Sequence, residues 1–179
     1  STLDVPMRVF LVGFMASGKS TVGPQVAERL GLTFADLDDI IEADAEQSIP
    51  DIFAAEGEPG FRVREAAALR QMVDRDDIVV ALGGGTVADR ANRALAKSKG
   101  HVVYLDVPPD VILDRVADDA AHRPLLQDDD GHPLPRDAMA ARIRAMLHDR
   151  QAAYREAHTV VDANAAPAVV AERVVEAVS

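Results

Sequence analysis

The chain has 179 residues, no cysteine, 48% hydrophobic and 27% charged residues, and a formal net charge of -11. This length suits one domain over residues 1–179 with a sizeable core. The missing cysteines remove disulfides, thiolate metal sites and a cysteine nucleophile, and the acidic balance argues against nucleic acid or an anionic membrane as the main partner.

No apolar run approaches the ~20 residues of a membrane span and no signal-peptide pattern opens the chain, so a cytoplasmic protein is expected. Residues 1–7 read as a short leader. The apolar run 9–12 has the character of a buried parallel strand. It leads into Gly13-Phe14-Met15-Ala16-Ser17-Gly18-Lys19-Ser20, which fits the phosphate-binding pattern of Gly, four residues, then Gly-Lys-Ser/Thr. Behind it Val22, Val26, Ala27 and Leu30 recur at helical spacing until Gly31. Strand, glycine loop and helix N-terminus aim backbone N–H groups at one point, where the helix dipole and lysine favour an anion. A nucleoside triphosphate is the expected ligand, with Lys19 on its β- and γ-phosphates and the Ser20 hydroxyl on Mg²⁺.

Residues 33–35 predict a second strand running into Asp36 and Asp38. Their spacing of two in an extended segment would point both carboxylates the same way, at the edge where open parallel sheets bind ligands. A helix follows through Ile40, Ile41 and Ala45. Ser48 is a suitable cap for another, ended by Gly57, and Pro59 opens a helix carrying Phe61, Arg62, Glu65, Leu69 and Val73. Glu58, Arg62 and Glu65 could be a surface ion-pair ladder, or Arg62 could grip a carboxylate or phosphate. The apolar run 78–82 predicts a strand ending in Gly83-Gly84-Gly85, where something must approach the backbone closely. Residues 89–97 suggest a short helix, 101–105 a strand, and 110–117 a helix.

Periodicity then fails from 118 to 136, where three prolines, a glycine and several acidic residues interrupt the pattern. A structureless stretch of this length suggests a mobile lid. Within it Arg123 could neutralise charge on a transferring phosphoryl group, and Arg115 just before it could stack on a base. A long helix over 137–157 carries Arg150 and Tyr154 four apart, a strand follows at 159–162, and a helix starting at Pro167 closes the chain. Alternating strands and helices predict an α/β fold with a parallel sheet covered on both faces.

Taken together, these residues resemble the shikimate kinase family over nearly the whole chain. The resemblance is carried by the phosphate loop with Gly18-Lys19-Ser20-Thr21, by Asp36-Leu37-Asp38 and by Gly57-Glu58-Pro59-Gly60-Phe61-Arg62-Val63-Arg64-Glu65. It extends to the triple glycine, to Arg123-Pro124-Leu125-Leu126 and to Arg150 with Tyr154. The Gly-Glu-x-x-Phe-Arg-x-x-Glu segment with the glycines is far narrower than the loop alone.

The resemblance implies a three-layer α/β/α fold with a five-stranded parallel sheet in order 2-3-1-4-5. A substrate-binding helical region would span about 37–74 and a lid about 118–136. It implies transfer of the γ-phosphoryl of ATP to the 3-hydroxyl of shikimate, a step of aromatic amino acid biosynthesis, by a monomer. On matching positions, Asp38 would act as or orient the base, Arg62 and Arg150 would clamp the carboxylate, and Gly84 and Gly85 would meet ring hydroxyls. Lys19 and Arg123 would stabilise the phosphoryl group. Gly13, Ala16, Ser17, Gly18, Ser20 and Thr21 would cradle the phosphates, Arg115 and Pro167 would sandwich adenine, and Ser20 with Asp36 would hold Mg²⁺. Residues 127–136 look like an acidic insertion that would slow entry of ATP unless its carboxylates face outward. The rival readings are a gluconate kinase-like enzyme on the same fold and a nucleotide-binding regulatory module without turnover.

Overall fold

In the computed structural model residues 5–179 are described; residues 1–4, within the expected leader, lie outside the described residues. Five short strands, β1 (Arg8–Val12), β2 (Thr33–Asp36), β3 (Ile78–Ala81), β4 (His101–Asp106) and β5 (Thr159–Asp162), pair in the order β2-β3-β1-β4-β5, every pair parallel. This is the order expected. The inner strands β1, β3 and β4 are nearly continuous apolar runs because helices cover both faces. The edge strands, TFAD and TVVD, keep polar residues. Among the described residues no helix is long and apolar enough to cross a membrane.

The helices are α1 (Lys19–Leu30), α2 (Leu37–Ala45), α3 (Ile49–Met72), α4 (Arg90–Lys99), α5 (Pro109–Val116), α6 (Arg136–Arg155) and α7 (Pro167–Val178). Gly18 enters α1 at φ 104° and Gly31 leaves it at φ 69°, its N–H closing on the carbonyls of Ala27 and Glu28. Both are left-handed positions that a glycine takes without a Cβ penalty.

Two local readings change, at Asp38 and in the lid, while the helix break at Gly57 is kept. The extended segment assigned to Asp36 and Asp38 stops at Asp36, which caps α2 by accepting a hydrogen bond from the Asp38 N–H at 2.9 Å. Asp38 therefore lies in the first turn of a helix, and the cap, not strand alternation, brings the two carboxylates together. The predicted helix break at Gly57 is present, at φ 70° and ψ -179°, yet the chain resumes at once within α3. Arg64 clips the break by gripping both carboxylate oxygens of Glu56. A Cβ on Gly60 would lie 2.3 Å from the Glu56 Cβ, so this fold-back needs a glycine there.

The lid is not structureless. It contains 3-10 turns at Ala120–His122 and Pro124–Leu126, and Gln127 bridges Pro133 to close a small hairpin. Ala120 and Leu126 are buried, and Gln127 Nε2 donates to the carbonyls of Ala120 and Ala121. Arg142 Nη1, from α6, donates to the Leu125 carbonyl at 2.9 Å. Three-residue turns are too short to produce a hydrophobic period, which is why the pattern vanished.

The φ/ψ of Gly57 lies where only glycine is comfortable. Gly57→Ala is therefore expected to destabilise the protein by about 1–3 kcal/mol, read as a lower urea midpoint. An unchanged midpoint would mean that the break relaxes without cost.

Candidate active site

The functional residues gather at the carboxyl ends of the strands. The loop after β1 is shaped by close packing: a Cβ on Gly13 would lie 2.7 Å from Ser17 Oγ and 2.9 Å from the Leu105 carbonyl. Ala16 takes φ 59°, a left-handed conformation inside the loop. Ser17 Oγ is buried without a hydrogen-bond partner, a hydroxyl waiting for an acceptor. Lys19 is nearly buried and its Nζ donates to the carbonyls of Gly13 and Phe14. Burial lowers its pKa to about 8, against the pull of Asp38 and Asp36.

A cavity of about 640 Å³ lies over this loop. Gly18, Lys19, Ser20 and Thr21 line it on one side, and Arg115, Arg123 and Pro167 on another. Arg115 is held there by donating to the Ala16 carbonyl at 2.8 Å, so it is tied to the phosphate loop as well as facing the cavity. Ser20 Oγ donates to Asp36 Oδ2 at 2.5 Å. That pair offers hard oxygen ligands of the kind Mg²⁺ takes, and the cavity beside it has room for the phosphates Mg²⁺ also uses.

A second cavity, about 530 Å³, adjoins the first. Arg62, Gly85 and Arg150 line it, while Asp38, Gly84 and Arg123 belong to both. Arg62 is not part of a plain surface ladder. Its Nη1 meets the buried Glu65 carboxylate at 2.9 Å and its Nη2 meets Glu58 at 3.3 Å. Burial pulls the Arg62 pKa down, but the charge and hydrogen bonds of Glu65 and Glu58 carry it above the usual value. A Cβ on Gly85 would fall 2.6–2.9 Å from the Arg62 guanidinium. One on Gly84 would lie 3.3 Å from the Met15 nitrogen and 3.7 Å from Arg150 Nη1. The glycine turn is thus wedged between the phosphate loop and two arginines. Tyr154, fully buried, donates its hydroxyl to the Gly84 carbonyl.

Asp38 stands at the junction. Burial pushes its pKa up to about 6; the charge of Asp36 adds to this and Lys19 opposes it. Every site residue expected from the sequence lines one of these cavities or, like Gly13, shapes the loop beneath the first. Among the wall residues that had not been singled out are Met15 and Glu42. Met15 lines both cavities from an unconstrained position of the loop pattern. Glu42 lines the second while accepting from the Ile49 N–H at 2.8 Å. Its place one turn beyond Asp38 on α2 was the available signal.

A phosphate loop joined through one carboxylate and one arginine to a second, arginine-lined cavity defines a P-loop phosphotransferase of a small anionic acceptor. The family model for shikimate kinase matches residues 15–179. A shikimate kinase from Salinibacter ruber is 55% identical over 174 residues, covering 97% of this chain and 85% of its own length. One from Halorhodospira halophila is 49% identical, covering 96% and 93%. Among solved structures, the shikimate kinase from Acinetobacter baumannii in complex with shikimate superposes with a TM-score of 0.87 at 38% identity, over 97% of this chain and 92% of that one. The chain belongs to the shikimate kinase family.

Because the folded-state pKa of Asp38 lies above its ordinary 3.8, ionised Asp38 costs the fold stability at neutral pH. That cost is absent below the unfolded pKa and fully present above about 6. Asp38→Asn should therefore stabilise the protein at pH 7.5 by about 1–3 kcal/mol, the gain shrinking as pH falls toward 4.5. Thermal melts of both proteins at the two pH values check this. A lower melting temperature for the variant at pH 7.5 would show that the carboxylate supports the fold.

Proposed function

We propose that the protein transfers the γ-phosphoryl group of ATP to the 3-hydroxyl of shikimate. The observation that carries the reading is the junction of the two cavities at Asp38 and Arg123. A triphosphate seated on the loop and an acceptor seated among Arg62, Gly84, Gly85 and Arg150 would meet there. Membership of the shikimate kinase family, and the likeness to a structure in complex with shikimate, support the choice of acceptor.

Gly13, Ala16, Ser17, Gly18, Lys19, Ser20 and Thr21 hold the phosphates, and Arg115 and Pro167 flank the base. Ser20 and Asp36 would hold Mg²⁺, which neutralises phosphate charge when bound. Arg62 and Arg150 take the acceptor carboxylate. The arginine fork suits it because two parallel N–H groups match two carboxylate oxygens. Asp38 accepts the proton of the attacking hydroxyl as the new O–P bond forms and the bond to the β-phosphate oxygen breaks, releasing ADP. Lys19 and Arg123 stabilise the charge in transit. Such a transfer needs positioning and charge neutralisation rather than a covalent enzyme intermediate.

A gluconate kinase-like enzyme would share the loop and lid but does not predict Phe61-Arg62 together with the triple glycine. A regulatory module without turnover has no use for a carboxylate placed between the two cavities.

ADP release is expected with MgATP and shikimate, and not with gluconate or without an acceptor. Release with gluconate alone would move the assignment to the rival. Arg62→Lys should raise the KM for shikimate on the order of 10–100-fold and leave the KM for MgATP near wild type, because one ammonium replaces a charged fork. Equal KM values for shikimate in the two proteins would remove Arg62 from the clamp.

The pH profile follows from the two perturbed groups. The kcat/KM for MgATP reports the free enzyme, so it should rise through about 6 as Asp38 ionises and fall beyond about 8 as Lys19 loses its proton. A profile flat from pH 5 to 7 would deny Asp38 the role of base.

A further inference from the structure

Glu65 is 1% exposed, a carboxylate sealed inside the protein beside the second cavity. Such a group persists only if its oxygens are paired. One oxygen, Oε1, takes Arg62 Nη1 at 2.9 Å. The other, Oε2, accepts from Thr86 Oγ1, also at 2.9 Å. Thr86 has no exposed surface at all. It is fixed in turn, since Asn92 Nδ2 donates to its carbonyl at 3.0 Å and the Asn92 N–H is capped by Asp89. A chain of hydrogen bonds, buried at its centre and part-buried at its ends, therefore runs from the start of α4 through Thr86 and Glu65 to the Arg62 guanidinium.

The surroundings explain why that chain matters for chemistry. A Cβ at Gly83 would lie 2.9 Å from Glu65 Oε2, 3.1 Å from Thr86 Oγ1 and 3.2 Å from Asp38 Oδ1. The Glu65 and Asp38 carboxylates thus approach one another over a bare glycine. Glu65 adds to the forces that push the Asp38 pKa up. With one oxygen committed to Thr86, Glu65 can neither swing toward Asp38 nor leave Arg62. Glu58, the other carboxylate on Arg62, is half exposed and binds it at 3.3 Å, so it cannot replace the buried partner.

We propose that Thr86 is a positioning residue for the acceptor site: its hydroxyl locks Glu65, and Glu65 holds Arg62 in the orientation that receives the acceptor carboxylate. Thr86 lines neither cavity. This inference rests on the reading of Arg62 as part of the carboxylate clamp. The hydroxyl is the active feature, because the methyl of Thr86 has no part in the chain.

The test uses Thr86→Val, which keeps the shape and removes the hydroxyl, and Thr86→Ser, which keeps the hydroxyl. Thr86→Val is expected to raise the KM for shikimate by roughly 10-fold or more, the scale of one lost hydrogen bond to a charged group, with the KM for MgATP unchanged. Thr86→Ser is expected to behave as wild type. If Thr86→Val does not fold, Thr86→Ala against Thr86→Ser makes the same comparison, since those two differ only in the hydroxyl. Wild-type KM values in the hydroxyl-free variant, equal rises in both KM values, or a loss that serine does not restore would each overturn the proposal. Turnover of shikimate by the wild-type protein in the same assay separates this outcome from failure of the functional reading itself.

Discussion

The site at the strand ends turns on one constraint: Asp38 is held in a place that disfavours its charge. Its α2 turn is anchored by Asp36, itself an anion, so the cap that positions Asp38 also repels it. Lys19 relieves that repulsion, and the two groups offset one another across the floor of the first cavity. The result is a carboxylate poised near 6 and an ammonium poised near 8, each shifted toward the working range by burial. Neither value would arise on a solvated surface. The strand ends and the phosphate loop supply the burial, and the helix cap supplies the aim.

A net charge of -11 sits uneasily with two anionic substrates until the charges are placed. Lys19, Arg62, Arg115, Arg123 and Arg150 all line the paired cavities. The acidic insertion lines neither cavity: Asp128, Asp129 and Asp130 are exposed in the lid hairpin. The Asp128 carboxylate is occupied there by the N–H groups of Asp130 and His132. Local potential is set by the nearest charges in a low-dielectric cleft, and there the five cations outnumber the carboxylates of Asp36, Asp38, Glu42 and Glu65 that share the lining.

Much of this was readable before any coordinates. The loop motif, the five strands and the glycine stops at Gly31 and Gly57 follow from residue pattern and turn chemistry, and the strand order came with the family resemblance. The geometry around Asp38 was harder, because a two-residue spacing means one thing on a strand and another across a helix cap. Only the hydrogen bond from the Asp38 N–H to Asp36 decides between them. Thr86 was invisible for a different reason. A lone threonine after a glycine run carries no motif, and its meaning comes from a carboxylate 21 positions earlier in the chain. The lid turns failed to register because their order is enforced from outside, by Gln127 and by Arg142 on α6.

That external bracing bears on how the two cavities communicate. Arg123 belongs to both, and its guanidinium is drawn back toward Asp119 at 3.2 Å within the lid. An ion pair of this exposure contributes little to stability, so a transferring phosphoryl group, with more charge and better hydrogen-bond acceptors, can compete for the arginine. The contacts that hold the lid backbone, buried Ala120 and Leu126 and Arg142 on the Leu125 carbonyl, do not involve the Arg123 side chain. An ordered lid carrying one lightly held arginine suits a reaction in which the charge to be stabilised exists only briefly. At the glycine turn, bare backbone leaves Arg62 and Asp38 in places that a Cβ on Gly85 or Gly83 would crowd.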